Sequence, residues 1–375
     1  MLSHMIWAAS MIDDNRKGVD EVGQKDRLLY VGTFTDKESE GIYLYHFNEE
    51  SGELRYYDVV KQVADPSFIT PGPDHTLYAI NALFEYKGEP TGAVSAFSIE
   101  RESGRLTLLN ERSSRGRRPA YAFVDRSKNY VLLANYGEGS VVVFPILADG
   151  RLGEATDVVQ HVGASVHPRQ EGPHAHSIIT DPSNSFALVA DLGTDTVYVY
   201  RFDTEKGKLE PHRRYKAAAG AGPRHLAFHP SNRYLVIVHE LNSTMTSYRW
   251  TEESGELTEL ETVSTLPHQA DIENTAAEVK FSACGRFLYA TNRGDNSIIF
   301  YTFQEETGKL RYVNHYDCKG EVPRHFTFSP DGRFLLVANQ ESDSIVSFHV
   351  NEDTGELTFT GNVTKAPTPV CLLFL

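Results

Sequence analysis

Apolar and polar residues alternate along much of this chain with a period of two. From Val197 to Phe202 it reads Val-Tyr-Val-Tyr-Arg-Phe. Successive residues of an extended strand point to opposite faces, so Val197, Val199 and Arg201 share one face and Tyr198, Tyr200 and Phe202 the other. Both faces are largely apolar, which predicts a strand packed on both sides. A second pattern runs from Pro323 to Asn339: the apolar run through Phe328, then Ser329-Pro330-Asp331-Gly332, then Phe334 to Ala338. It reads as strand, turn, strand. Proline fixes φ, aspartate and glycine suit the tight reversal, and Phe, Leu and Val suit the flanking strands. Relatives of this phrase run from Pro66 to Asn81, Pro119 to Asn135, Pro173 to Asp191, Pro223 to His239 and Ala276 to Asn292.

Between these phrases an acidic turn with a glycine, followed by a leucine, recurs seven times. Its glycines are Gly52, Gly104, Gly150, Gly207, Gly255, Gly308 and Gly355. Strand-flanked repeats spaced by about 50 residues predict an all-β, seven-bladed β-propeller with four antiparallel strands per blade. We name the strands a to d outward from the axis. The first glycine turn is preceded by Leu28 to Thr33, a strand b that lacks its strand a. The missing strand is found at the other end, from Pro367 to Leu375. The C-terminal strand is therefore expected to enter the first blade and close the ring. The propeller then spans residues 27–375. Residues 1–26 fall outside the repeat and read as a flexible tail, because they lack the basic n-region and the apolar run of a secretory signal.

The strand order places the short a–b and c–d turns on one face and the b–c and d–a loops on the other. The second set varies most in length, at Leu83 to Thr91, His161 to Gly172 and Pro267 to Thr275. Variable loops on a rigid scaffold are where function concentrates. At that end, strand a begins with Val370, Ser67, Ala120, His176, Arg224, Ala277 and Arg324. Strand b is followed by Phe34, Ala82, Tyr136, Leu192, Glu240, Arg293 and Gln340. These two rings should surround the channel mouth, with His176, Arg224, Glu240, Arg293 and Arg324 converging on one side.

Charge sharpens that picture. The formal charge is −15 with 36 basic residues, so neither nucleic acid nor an anionic membrane is an expected partner. No apolar run reaches membrane-spanning length. An arginine cluster in so acidic a chain suits a phosphate or carboxylate, because guanidinium offers fixed forked donors. A His and a Glu beside it could serve as base and acid on an attacked carbonyl. The bland alternative is that these groups line a wet channel and pair with one another.

Other features read as structural. His174 and His176 share a face of an extended segment but lack a third ligand at a recognisable spacing, so no metal is expected. His167, His225, His229, His239 and His325 read as pocket-lining or structural, with His239 pointing away from Glu240. The four arginines from Arg112 to Arg118 read as a solvated loop whose place on the functional face leaves room for substrate steering. The three cysteines are scattered and odd in number, which suits a reducing cytoplasm better than a disulfide framework. No phosphate-loop or dinucleotide fingerprint occurs.

The phrases Gly172-Pro173-His174-Ala175-His176-Ser177, Gly222-Pro223-Arg224-His225 and Tyr289-Ala290-Thr291-Asn292-Arg293-Gly294, set in this repeat, resemble the seven-bladed propeller lactonases. That family includes bacterial propeller-type 6-phosphogluconolactonases and fungal carboxy-muconate cyclases. The resemblance covers residues 27–375. It implies catalytic roles for His176, Arg224, Glu240 and Arg293. Beside that set, His174, Arg324 and His325 are the substrate-binding candidates among the channel-mouth residues. The resemblance also implies a small anionic lactone as substrate and hydrolysis without metal or organic cofactor. A monomer or weak homo-oligomer is expected. A muconate-type cyclase, a hydrolase of another lactone and a non-catalytic propeller scaffold are the competing expectations.

Overall fold

The computed structural model describes residues 26–61, 63–267 and 272–375. The described chain forms seven four-stranded sheets, each a continuous a-b-c-d meander except the first. There the innermost strand, Pro369–Phe374, comes from the C-terminus and pairs antiparallel with Asp26–Thr33. The ring is closed as the sequence predicts. Of the tail expected over 1–26, only Asp26, which opens that strand, lies among the described residues.

Hydrophobic burial is divided among the seven interfaces between blades. Leu132, Val141 and Val143 of blade 3 pack against Val189, Tyr198 and Tyr200 of blade 4. Phe334, Leu336 and Ile345 of blade 7 pack against Leu29, Tyr45 and Phe47 of blade 1. Strands b and c are apolar on both faces because each face meets a neighbour. Strands d are half-exposed and alternate. The repeating glycine turn belongs to these interfaces. Gly255 has φ +60, and a Cβ there would lie 2.6 Å from the Phe186 ring of the preceding blade. Tyr30 and Tyr78 donate their hydroxyls to the carbonyls of Gly104 and Gly150 in the next blade at 2.6 and 3.0 Å. The turn therefore recurs because each blade rests its c–d corner on its neighbour, with no room for a side chain.

Blade 3 departs from the expected regularity. Its turn at Gly150 is closed by an isolated bridge from Ile146 to Leu152, and strand d is delayed to Asp157–Gln160. No helix among the described residues is long and apolar enough to cross a membrane.

Candidate active site

The inner ring of side chains is aimed by a recurring break in register. In blade 5, Pro223 pairs with His239 and His225 with Val238, so Arg224 has no partner on strand b. The same skip falls on Val370, Ala120, His176 and Arg324. An extra residue in one strand bends it and re-aims the side chain. In consequence the consecutive pairs Arg224–His225 and Arg324–His325 both line one cavity at the channel mouth, which strict alternation would forbid. That cavity has a volume of about 270 Å³ and is also lined by His176, Glu240, Arg293, Tyr136, Phe34, Arg118 and Arg169. Such a volume lies near the lower end of small-molecule sites, the scale of a single sugar.

Glu240 is the electrostatic centre. Its side chain is 2% exposed, and Oε2 accepts from Arg224 Nε at 2.8 Å and lies 2.9 Å from an Arg293 terminal nitrogen. Its Oε1 is 2.6 Å from Arg169, which also donates to the Tyr136 hydroxyl at 3.2 Å. Burial alone would raise the Glu240 pKa, but Arg293, Arg224, His176 and Arg169 hold it well below the ordinary carboxylate range. His176 Nε2 lies 4.0 Å from Glu240 Oε2, and its Nδ1 is buried without a hydrogen-bond partner. Burial, then the charges of Arg224 and His225, pushes the His176 pKa well down. At neutral pH the site therefore holds an ionised Glu240 and a neutral His176. Arg224 is held at both ends, because a terminal nitrogen donates to the Ala277 carbonyl at 2.7 Å. Its pKa is lowered to about 10 by burial and by Arg293, so it remains charged at neutral pH.

A second buried carboxylate lies beneath the first. Glu278 Oε1 accepts from His225 Nδ1 at 3.1 Å, and Oε2 is 3.1 Å from His325 Nε2. The His325 Nδ1 accepts the Leu372 backbone N–H at 3.1 Å, so a neutral ring carries its proton on Nε2, which lies 3.1 Å from both Glu278 Oε2 and the Lys280 Nζ. His225 Nε2 faces a terminal nitrogen of Arg224 at 3.3 Å, which likewise leaves its proton on Nδ1. Glu278 thus props two histidines that wall the cavity, and one of them abuts Arg224.

This arrangement predicts acid lability. Burial, partly offset by Glu278, lowers the His225 pKa to about 4. As pH falls below about 6.5 the unfolded chain takes up a proton that the folded site refuses until about pH 4. Stability present at pH 7 is therefore lost across that window, by on the order of 3 kcal/mol for this group. Glu240 and Glu278, held below the ordinary carboxylate value against their burial by neighbouring cations and histidines, add loss in the same direction below about pH 4.5. Urea midpoints should fall steadily from pH 7 to pH 4.5; a flat profile would contradict the assignment of these groups.

Most sequence-predicted residues converge. His176, Arg224, Glu240, Arg293, Arg324 and His325 all line the cavity. His174 does not; it stacks on Tyr136 with ring centroids 4.6 Å apart, and its Nδ1 is 2.8 Å from the Tyr136 carbonyl. His239 turns away, with Nε2 2.9 Å from the Thr246 hydroxyl. His229 bonds Ser231 and the Gly285 carbonyl far from the cavity. In the 112–118 segment, Arg112 and Arg115 pair with Glu154, and Arg117 with Glu138, while Arg118 alone reaches the cavity.

Two residues escaped sequence reasoning. Arg169 lies in the 161–172 loop, where no periodicity marks one position above another. Glu278 was hidden because the register shift in blade 6 spans two residues, Ala277 and Glu278, instead of one. The signal available was the pair Glu278 and Lys280, two charges spaced two apart on an innermost strand.

Fold and cavity together define a propeller with a cationic, water-accessible pocket at one channel mouth. A family model described as Lactonase, 7-bladed beta-propeller matches residues 28–374. A 6-phosphogluconolactonase from Bacillus subtilis is 34% identical over 347 residues, covering 92% of this chain and 97% of that protein. A 6-phosphogluconolactonase from Formosa agariphila is 31% identical over 306 residues, covering 80% of this chain and 85% of its own length. The solved periplasmic gluconolactonase of Pseudomonas aeruginosa superposes with a TM-score of 0.89 at 33% identity, over 93% of this chain and 99% of that one. The chain belongs to the seven-bladed propeller lactonase family and is a lactone-hydrolysing enzyme by that membership.

Proposed function

We propose that this protein hydrolyses 6-phospho-glucono-1,5-lactone to 6-phosphogluconate at the cavity around Glu240. The observation that carries the reading is the excess of guanidinium over carboxylate: Arg118, Arg169, Arg224, Arg293 and Arg324 line a cavity whose only lining carboxylate, among the described residues, is Glu240. A chain of net charge −15 gathers these cations where an anionic substrate would sit. The Bacillus subtilis relative, named a 6-phosphogluconolactonase, supports the same substrate.

The protonation states assign the roles. Glu240 is held ionised by its arginines, so it cannot supply a proton to the leaving ring oxygen. His176 is neutral and can accept one. Its Nε2 and Glu240 Oε2, 4.0 Å apart, are close enough to share one water, which attacks the lactone carbonyl as His176 takes its proton. Arg224 and Arg293 lie where they can stabilise the oxyanion, and Glu240 stabilises the imidazolium beside it. The ring C–O bond then breaks, and His176 returns the proton to the departing oxygen. His174 acts through Tyr136, on which it stacks. His325 forms cavity wall, with both ring nitrogens already engaged. No metal or organic cofactor enters this scheme. The three cysteines are free thiols, Cys318 and Cys371 buried and Cys284 exposed, which suits the reducing cytoplasm we assign. A monomer or weak homo-oligomer completes the reading.

A coupled assay of 6-phosphogluconate formation tests it, with plain gluconolactone and a muconate lactone as alternatives. The wild type should accelerate ring opening of the phosphorylated lactone far above its spontaneous rate. No acceleration would sink the reading, and a preference for the muconate lactone would move the protein to the cyclase branch.

A further inference from the structure

The five arginines of the cavity are not equivalent. Arg169, Arg224 and Arg293 each pair with Glu240. Arg118 and Arg324 have no carboxylate partner among the described residues. Arg324 makes one long contact, 3.4 Å, to the Gln340 side-chain oxygen. Each of these two guanidiniums is instead seated on an aromatic face, Arg324 over Phe34 at 5.2 Å and Arg118 over Phe84 at 5.0 Å. A ring face supports the flat side of a guanidinium and leaves its N–H edge available to a ligand.

The backbone shows that Arg118 is held in place. It adopts φ +47, its N–H donates to the Leu83 carbonyl at 2.7 Å, and its carbonyl accepts the Tyr136 N–H at 3.0 Å. Phe84 is 62% exposed, on the variable b–c loop of blade 2, and an exposed phenyl there is accounted for by the guanidinium it carries. Arg118 enters where blade 3 begins and Arg324 from blade 7. Blade 5, which carries Arg224 and Glu240, lies across the ring from the blades between them. Arg324 also feels the charges of Arg293, Arg224 and Arg118, with Glu240 as the offsetting charge. An anion placed between Arg118 and Arg324 would relieve that repulsion.

We propose that Arg118 and Arg324, seated on Phe84 and Phe34, form a phosphate subsite at the cavity mouth that selects the phosphorylated lactone and turns its carbonyl toward His176. This deepens the lactonase reading and rests on it for the choice of ligand. Two forked donors suit a phosphate dianion better than a hydroxyl. An unphosphorylated sugar leaves both arginines without an anionic partner.

The test is calorimetric binding of the product 6-phosphogluconate and of plain gluconate to the full chain, with wild type, Arg118→Gln and Arg324→Gln. The wild type should favour the phosphorylated acid, and each variant should reduce that preference by about tenfold or more. The ratio of kcat/KM for the phosphorylated over the plain lactone should fall in parallel, mainly through KM. Equal binding of the two acids by the wild type would overturn the subsite, as would variants that weaken both acids by the same factor. Calorimetry needs no turnover, so an inactive wild type would count against the proposed reaction and not against the subsite.

Discussion

Replacing Arg224 by alanine is expected to lower turnover of the phosphorylated lactone by about 100-fold or more, the scale set by losing one oxyanion-stabilising donor. The loss has more than one source. Arg224 is buried, with its Nε on Glu240 and one terminal nitrogen on the Ala277 carbonyl and near His225. Alanine removes a cation that keeps Glu240 ionised and a neighbour that positions the His225 wall. Lysine should not restore activity, because a single ammonium cannot serve Glu240 and the Ala277 carbonyl in their two fixed directions. Single-turnover kinetics on the two variants check this. If Arg224→Lys matched the wild type, the arginine would be acting as a charge alone and the forked geometry would be irrelevant.

Removing residues 367–375 is expected to unfold the protein at physiological temperature. The segment supplies the innermost strand of blade 1, paired from Leu29↔Phe374 to Thr33↔Pro369. Val370, Cys371 and Leu372 are buried, and each such side chain contributes roughly 1.5–3 kcal/mol. Their sum is comparable with the net stability of an ordinary domain, about 5–15 kcal/mol. The cut also exposes the edge of Asp26–Thr33 and opens the interfaces of blade 1 with blades 7 and 2. It reaches the site as well, since the Leu372 N–H holds His325 Nδ1. Thermal melts and soluble yield report the outcome. A truncated chain melting within a few degrees of the wild type would show that the ring does not need its closing strand.

The blades were legible because their signals are local. Alternation over six residues, a strand-turn-strand phrase and a glycine on a crowded corner each act within a few residues; the phrase recurs six times and the glycine corner seven, so one copy corrects another. Blade 3 shows the limit of that logic: its Gly150 turn is present, yet strand d begins only at Asp157. The ring of site positions was legible for the same reason. Counting from the turns placed His176, Arg224, Glu240, Arg293 and Arg324 at one mouth, and they meet there.

What counting could not supply is direction. Alternation sends Arg224 and His225 to opposite faces, and so too Arg324 and His325. The skipped register brings both members of each pair into the cavity. A two-residue shift in blade 6 carries Glu278 to the two histidines of the cavity wall, and a long loop carries Arg169 to the cavity itself. Both depend on hydrogen bonding and packing between segments distant in the chain, to which no local pattern answers. The chain's own periodicity sufficed for seven blades, their closure and the end at which the cavity opens. Contacts across the ring decided that Glu240 is held ionised beside a neutral His176 and that, among the described residues, Arg118 and Arg324 stand without a carboxylate, because those states arise only when charges from different blades share one buried space.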